Sequence, residues 1–207
     1  MLTSCNNTKL RLEQAQNLEK QELWGPALLA YNELLPKVSH QKTQLLADIY
    51  SRMGHCLIEL DRGNEALAVL EKAEALDPSS PAMHLRMAQL LVMADMAENS
   101  RSHLEFVAAV QPSNPDLWEI RGSMYAAEEN ANAAEADYLR AYETSPHRDR
   151  IAERLANLYV DQERPDKARA ILTSAAARGP HKSQLLLALA RLEETVGNNA
   201  EAEQDYR

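Results

Sequence analysis

The sequence predicts an all-α fold, a right-handed solenoid in which antiparallel helix pairs stack one after another. Three observations support this prediction. First, four prolines follow one another at intervals of 34 residues: Pro78, Pro112, Pro146 and Pro180. Second, small and large apolar residues recur in fixed columns when the chain is written in rows of that length. Third, polar residues interrupt each row near its middle. Such a period is typical of chains built from one repeated supersecondary unit.

The columns predict how the two helices of a row pack. The rows are 47–80, 81–114, 115–148, 149–182 and an incomplete 183–207. One small column comes early in the row: Gly54, Ala88, Gly122, Ala156 and Ala190. A second small column follows: Ala66, Ser100, Ala134, Ala168 and Ala202. A large residue comes four positions later: Leu70, Leu104, Tyr138, Leu172 and Tyr206. Because offsets of three and four share one helical stripe, we expect small residues to let the helices approach closely.

Helix boundaries are predicted by polar and helix-breaking residues. The expected breaks between the helices of a row are Asp61-Arg62-Gly63-Asn64, Glu98-Asn99, Glu129-Asn130 and Gly197-Asn198-Asn199. Ser80 and Asn114 are expected N-caps, because each precedes a proline at the first helical position. The prolines of the 34-residue series should end the preceding helix, since they cannot continue its hydrogen bonding.

These columns resemble the tetratricopeptide repeat family over nearly the whole chain. The row 115–148 carries the family's residues most completely: Trp118, Gly122, Tyr125, Ala134, Tyr138, Ala141 and Pro146. A divergent first copy over about residues 8–46 carries Ala15, Leu18, Ala27, Tyr31 and Leu34, and it lies 39 residues ahead of the next copy. We therefore expect a disordered tail over residues 1–7. A single array should follow over 8–207, with repeats at about 8–46, 47–80, 81–114, 115–148, 149–182 and a partial 183–207.

Two residues depart from the family pattern. Arg121 stands where the family has leucine, and we expect its stem to pack while its charged head reaches solvent. Glu193 stands in the column that holds Leu57 and Tyr125 in other rows, so the last row should pack less well or already be an end of the array. The sequence stops inside the expected second helix of that row. We therefore expect a fragment, or an end that a partner or a second copy covers by self-association.

Composition disfavours several classes of function. The net charge is −9 and no cluster of lysine and arginine occurs, which disfavours nucleic acid as a partner. No apolar run approaches the roughly 18 residues of a membrane span. No histidine pair has the helical spacing of a zinc site, and no phosphate-binding loop or nucleophile elbow occurs. We expect no enzymatic activity, no metal and no cofactor.

The two cysteines differ in context. Cys56 is expected to be a small core residue, and two cysteines cannot form a disulfide framework. Cys5 ends the stretch Leu2-Thr3-Ser4-Cys5, which resembles the lipobox of bacterial lipoproteins, where the cysteine is acylated after a signal peptide is cleaved. That interpretation requires residues upstream of Met1, and the alternative is a chance match in a tail. We therefore expect a cytoplasmic chain, or a periplasmic and membrane-anchored one if Cys5 is a lipidation site.

The family resemblance also implies a binding surface. In this family the first helix of each pair lines a concave groove that holds extended peptides or helices. Carried over by column, the groove residues are Arg52, His55, Glu59, Leu85, Arg86, Gln89, Val92, Met93, Glu119, Ser123 and Asn157. Leu85, Val92 and Met93 would form an apolar strip, and Arg52 and Arg86 share one column and could hold a carboxylate.

The resemblance implies a protein–protein interaction scaffold that binds a peptide or helix of a partner protein. Two alternatives remain open at this point. One is a lipid-anchored bacterial envelope assembly factor, and the other is a regulatory or docking arm of a larger enzyme.

Overall fold

A computed structural model describes residues 2–39, 42–144, 149–178 and 182–196. Within these ranges the chain forms eleven α-helices and one 3-10 turn, Leu35–Lys37, and no strand. The all-α solenoid predicted from the sequence is confirmed. Pro146, Pro180, the expected break at Gly197-Asn198-Asn199 and the expected self-association end after it lie outside the described residues.

Successive helices pair along the chain. Their bounds are α1 Leu2–Lys20, α2 Trp24–Leu34, α3 Thr43–Glu59, α4 Gly63–Leu76, α5 Pro81–Met93, α6 Ala97–Val110, α7 Pro115–Ala127, α8 Ala131–Thr144, α9 Asp149–Asp161, α10 Pro165–Arg178 and α11 Lys182–Val196. Odd-numbered helices are the first of each pair and are called A helices; even-numbered ones are B helices. Each B helix packs on its own A helix.

The chain divides into two compact units, Met1–Gln111 and Pro112–Arg207, called unit 1 and unit 2. Unit 1 contains α1 to α6, and unit 2 contains α7 to α11. Within unit 1, α3 packs against α5, while α2 packs against α3 and α4 against α5. Within unit 2, α8 packs against α9 and α10 against α11. The prediction of one continuous array over residues 8–207 stays a prediction.

The first helix is longer than the sequence analysis expected. It begins at Leu2, so residues 2–7, for which we predicted a disordered tail, are helical. No glycine or proline occurs between Leu2 and Lys20, and nothing in that stretch interrupts backbone hydrogen bonding. The expected tail is therefore corrected to the first turns of α1.

The turns between A and B helices share one backbone geometry. An acidic residue takes the left-handed conformation in each, with φ between 57° and 59°: Glu22, Asp61, Asp95, Glu129 and Glu163. The next residue donates its N–H to a carbonyl five residues back, as from Arg62 to Leu57 at 2.9 Å. This is the Schellman end of a helix. The break predicted at Glu98-Asn99 was misplaced, because Asp95 makes the turn and both residues lie in α6.

Both predicted N-caps are confirmed. The Ser80 hydroxyl accepts a hydrogen bond from the N–H of Met83 at 3.4 Å. The Asn114 side chain accepts one from the N–H of Asp116 at 2.9 Å. Each helix then continues with the predicted proline, whose missing N–H leaves no unpaired donor.

The small columns allow the close approach that the sequence predicts. A Cβ atom added to Gly54 would lie 2.6 Å from Cδ2 of Leu70, and one added to Gly122 would lie 2.7 Å from Cδ1 of Tyr138. Large buried side chains then fill the space beside these contacts. They include Tyr31, Leu34, Ile49, Leu70 and Met83 in unit 1, and Tyr138, Ile151, Leu155, Leu172 and Leu185 in unit 2.

Both departures from the family pattern are ion pairs of a partly exposed arginine with a buried carboxylate. Arg121 donates to Asp137 through Nε at 2.6 Å and through a terminal nitrogen at 2.8 Å, so its head, which was expected to reach solvent, binds a carboxylate of α8. Asp137 is buried, and apolar Val69 and Ile171 take its column in other rows. Glu193 is only 2% exposed and accepts a 2.8 Å bond from Arg169 of α10. The last row is therefore ion-paired at Glu193 and not loosely packed there.

Substitution of Gly122 by alanine should destabilise unit 2, although alanine is the better helix former by about 1 kcal/mol. The new methyl group would overlap the packed ring of Tyr138, which cannot withdraw as a flexible chain end can. We expect a net loss of roughly 1–2 kcal/mol in the free energy of unfolding, measured by urea denaturation. Rows 81–114 and 149–182 pair alanine with leucine in these columns, so Gly122→Ala with Tyr138→Leu should cost less than the sum of the single changes. Additive losses would contradict this packing.

Candidate functional site

The predicted groove residues all lie on A helices, and they divide between the two units. Helix α3 carries Arg52, His55 and Glu59, and α5 carries Leu85, Arg86, Gln89, Val92 and Met93. Helix α7 carries Glu119 and Ser123, and α9 carries Asn157. In each unit, we call the surface formed by these columns of its A helices the A-helix face.

In unit 1, Glu19 of α1 is the centre of a polar network. Its carboxylate accepts hydrogen bonds from the Tyr31 hydroxyl at 2.7 Å and from Arg52 at 2.9 Å. Nδ1 of His55 lies 3.0 Å from the same carboxylate. Arg52 also donates from Nε to Asp48 at 3.1 Å. The network therefore joins helices α1, α2 and α3.

A second part of the network reaches α5. Nε2 of His55 lies 3.6 Å from Glu59, and Gln89 donates to Glu59 at 2.9 Å. Arg86 in turn donates to Gln89 at 3.3 Å. The edge of the Trp24 ring packs on the His55 imidazole, with 5.1 Å between ring centroids. Together these residues form the Glu19 network: Glu19, Tyr31, Asp48, Arg52, His55, Glu59, Arg86 and Gln89.

The network holds Glu19 as a carboxylate. Burial alone would raise the pKa of Glu19, but hydrogen bonds from His55 and Tyr31 and the charge of Arg52 outweigh burial and lower that pKa to about 2. Burial and the Glu19 carboxylate raise the pKa of Tyr31. Arg52, which by its column could hold a carboxylate of a ligand, forms ion pairs with Asp48 and Glu19 of this chain. Burial opposes the charge of Arg52, but the two carboxylates outweigh burial and raise its pKa.

Sequence reasoning missed Glu19 and Tyr31 as members of this site. The divergent first copy lies 39 residues ahead of the next one, and that offset places Glu19 at the position equivalent to Ile58, on the A-helix face. Aligning the first copy with the second at this offset would therefore have identified Glu19 as a residue of this face. The apolar strip also differs from the prediction. Met93 is 55% exposed and Val92 is half-buried, but Leu85 is 3% exposed and does not present its side chain to a partner.

In unit 2, two arginines of α9 pair with the predicted residues of α7. Glu119 is buried, and its carboxylate lies 2.8 Å from Nε of Arg150 and 3.8 Å from Nε of Arg154. Ser123 accepts a hydrogen bond from Arg154 at 2.7 Å and one from the Tyr138 hydroxyl at 3.1 Å. Glu119 and Ser123 therefore bind arginines of the next repeat within the same chain.

A pocket of about 480 Å³ opens between α9, α10 and α11. We call it the unit 2 pocket; its lining residues are Glu153, Ala156, Asn157, Val160, Leu172, Gln184, Leu187, Ala188, Arg191, Leu192 and Thr195. The side chain of Asn157 is exposed in its wall. Burial and the nearby Asp149 raise the pKa of Glu153, while the charge of Arg191 acts in the opposite direction. The α11 residues were missed because the last row was expected to be an end.

The described residues contain neither a metal-binding cluster nor a membrane-spanning helix. Across the described ranges, no group of three or more histidine, cysteine, aspartate and glutamate side chains could hold a metal ion. No helix within those ranges is both long and apolar enough to cross a membrane. Cys56 is buried, and burial raises the pKa of its thiol to about 12, which keeps it protonated and unreactive. The side chain of Cys5 lies outside the described part of the chain.

Stability should fall in acid as Glu19 becomes protonated. Because the pKa of Glu19 is about 2 in the folded chain and ordinarily 4.5, its contribution is complete above pH 4.5 and is lost as the pH falls towards 2. Glu19→Gln should lower the free energy of unfolding at neutral pH by on the order of 2–3 kcal/mol and flatten that acid dependence, as urea denaturation at several pH values would measure. Exposed Glu13 of the same helix is the control, and Glu13→Gln should change little. An unchanged acid profile in Glu19→Gln would disprove this role.

Comparisons with known proteins agree with this architecture. Three family models, each described as tetratricopeptide repeat, match residues 47–80, 85–149 and 125–192. No curated protein sequence matches the chain. A thermophilic tetratricopeptide repeat protein of Thermus thermophilus superposes with a TM-score of 0.78 at 20% identity, over 89% of this chain and 98% of that one.

Two further solved structures share the fold at low identity. PilW, described as a widely conserved type IV pilus biogenesis factor, gives a TM-score of 0.72 at 15% identity over 96% of this chain and 90% of that one. PilF of Pseudomonas aeruginosa gives 0.66 at 19% identity, over 79% of this chain and 75% of that one. With the columns, the turns and three family matches in agreement, the chain belongs to the tetratricopeptide repeat family.

Proposed function

We propose that the protein is a non-catalytic scaffold that holds an extended peptide or a helix of a partner protein against its A-helix face. The observation that carries this proposal is the unit 2 pocket. Val160, Leu187 and Ala188 offer apolar surface there, while Asn157 and Gln184 offer side-chain amides. Amides can both donate to and accept from a peptide backbone, and apolar walls with a few polar groups are typical of binding pockets.

The two units contribute differently to this function. In unit 1 the charged residues of the A-helix face bind one another in the Glu19 network and stabilise the packing of α1, α3 and α5. On the A-helix face of unit 1, Met93 beside Val92 offers an exposed apolar side chain to a partner. In unit 2 the pocket leaves polar and apolar groups accessible together, so we place the main peptide contact there.

A polar amide placed among the apolar residues of the pocket should weaken partner binding. Leu187 is 38% exposed and lines the pocket, and an amide that a partner buries without a hydrogen bond costs roughly 1–3 kcal/mol, so Leu187→Asn should weaken binding about tenfold or more. The measurement is quantitative mass spectrometry of proteins captured from native lysate. Val110→Asn is the matched control, because it places the same amide at an exposed apolar residue of α6 in unit 1.

The expected result is a protein enriched on the parent chain and on Val110→Asn but strongly reduced on Leu187→Asn. Circular dichroism should show equal helix content in all three chains. Equal capture by all three would refute the unit 2 assignment. Loss with Met93→Glu alone would move the contact to unit 1.

A second candidate function is that of a lipid-anchored envelope assembly factor, favoured by the stretch Leu2-Thr3-Ser4-Cys5. PilW, which shares the fold, is described as a pilus biogenesis factor. When the protein is produced from its own gene in its own cells, labelled palmitate should enter the wild-type protein and not its Cys5→Ser variant, and the wild-type protein should sediment with membranes. An unlabelled wild-type protein would remove this candidate.

A further inference from the structure

The unit 2 pocket is best understood by comparison with the preceding repeat. Glu119 and Glu153 occupy the same column of consecutive A helices, as do Ser123 and Asn157. In the first pair, Arg150 and Arg154 of the next A helix reach back to Glu119, and Arg154 also donates to Ser123. Thus an acid and a neutral acceptor, one turn apart, bind guanidinium groups supplied by the following helix.

The second pair lacks those arginines. The residues 34 positions after Arg150 and Arg154 are Gln184 and Ala188, and both line the pocket. The shorter side chains leave open the space beside Glu153 and Asn157 that two arginines fill beside Glu119 and Ser123. In this pocket glutamine and alanine thus replace the two arginines of the preceding repeat, and the cation in its lining is Arg191, which acts on Glu153 through its charge without forming an ion pair.

The surroundings of Glu153 are those of a carboxylate that forms no ion pair within the described part of the chain. Its side chain is half-buried, and no residue in the described ranges forms a hydrogen bond or an ion pair with its carboxylate. Arg191 of α11 lowers the pKa of Glu153 through its charge, but burial and Asp149 prevail and raise it. Three buried or half-buried acids of other A helices each bind an arginine: Glu19, Glu119 and Glu193.

We propose that Glu153 and Asn157 form a receptor for an arginine side chain of a partner protein. The guanidinium would donate to the carboxylate of Glu153 and the amide oxygen of Asn157, in the way that Arg150 pairs with Glu119 and Arg154 donates to Ser123 in the preceding repeat. Its methylene stem would lie on Val160, Leu187 and Ala188. The inference rests on the proposed function, because it specifies the partner's chemistry at the same pocket. The net charge of −9 favours a basic partner in addition.

The first test titrates the full chain with N-acetyl-arginine amide, followed by ¹⁵N NMR. N-acetyl-citrulline amide is the matched probe, since it has nearly the same shape without the charge. We expect saturable shifts around Asn157 and Leu187, with the arginine probe binding at least about fivefold tighter than the citrulline probe. Glu153→Gln should abolish that preference. Glu143→Gln, at an exposed acid of α8 in the same unit, should retain it.

The outcomes separate this inference from the proposed function. Equal binding of both probes at the pocket would overturn the arginine receptor and leave peptide binding intact. Shifts that are spread over the surface and persist in Glu153→Gln would be non-specific attraction to an acidic protein, and would overturn it too. No response to either probe also overturns the receptor, while the Leu187→Asn capture comparison still tests the scaffold independently.

A second test supplies the cation within the chain. Ala188→Arg restores the arginine that the preceding repeat has at Arg154. We expect this variant to raise the thermal unfolding midpoint and to abolish binding of the arginine probe, because its own side chain fills the receptor. The gain in midpoint should vanish in Ala188→Arg with Glu153→Gln. A variant that still binds the arginine probe as the parent does would contradict the proposed geometry.

Discussion

The close approach of the A and B helices at the small-residue columns is the constraint on which the other contacts depend. Leu70 and Tyr138 lie where a Cβ atom on Gly54 or Gly122 would overlap them, and Ala66 and Ala134 are fully buried on the B side. A helix that slid by one turn would place a larger side chain at the contact and lose this fit. The register between the two helices of a repeat is thus fixed by sterics, independently of any charged group.

Because the register is fixed, residues 34 positions apart have equivalent neighbours. The same two positions can therefore form a hydrogen bond in one repeat and an ion pair in the next, while the helices pack in the same way. One contact of this kind joins a B helix to the next A helix. In one repeat the Tyr159 hydroxyl donates to Glu135 at 3.1 Å. At the equivalent positions 34 residues later, Arg169 forms an ion pair with the buried Glu193. A second contact of this kind joins the two helices of one repeat. In three repeats a side chain of the B helix packs on a ring of the A helix: Lys72 on Tyr50, Phe106 on His84 and Arg140 on Trp118.

The side chain supplied by the following helix also decides whether an acid of the A-helix face stabilises the fold or is available for binding. Where the following helix supplies an arginine, as at Glu119, an acid of this face ties neighbouring repeats together. Where it supplies glutamine and alanine, as beside Glu153, the acid lines an open pocket. Removing one partner of a buried ion pair lowers the free energy of unfolding, because the other charge stays buried and unpaired. A half-buried carboxylate that forms no ion pair already lowers that free energy in the parent chain. We therefore regard Glu119 as a structural acid and Glu153 as an acid available to a partner.

The sequence predicted the helix pairs, both N-caps and the small columns, because periodicity and capping are local properties. It misplaced the turn at Asp95, since Glu98-Asn99 is the more polar dipeptide but the left-handed residue sits 34 positions after Asp61. It did not predict the Glu19 network or the bond from Arg121 to Asp137. Columns show which helix a residue faces, but which acid reaches which base depends on side-chain length and on the partner helix.

The most direct test compares the unfolding of Glu119→Gln and Glu153→Gln by urea denaturation. The two acids share a column in one unit and differ in whether an arginine of the chain binds them. Glu119→Gln should lower the free energy of unfolding by roughly 2–3 kcal/mol, because Arg150 and Arg154 lose their buried partner. Glu153→Gln should leave it unchanged or raise it. Equal losses in both variants would contradict the division between structural and binding acids.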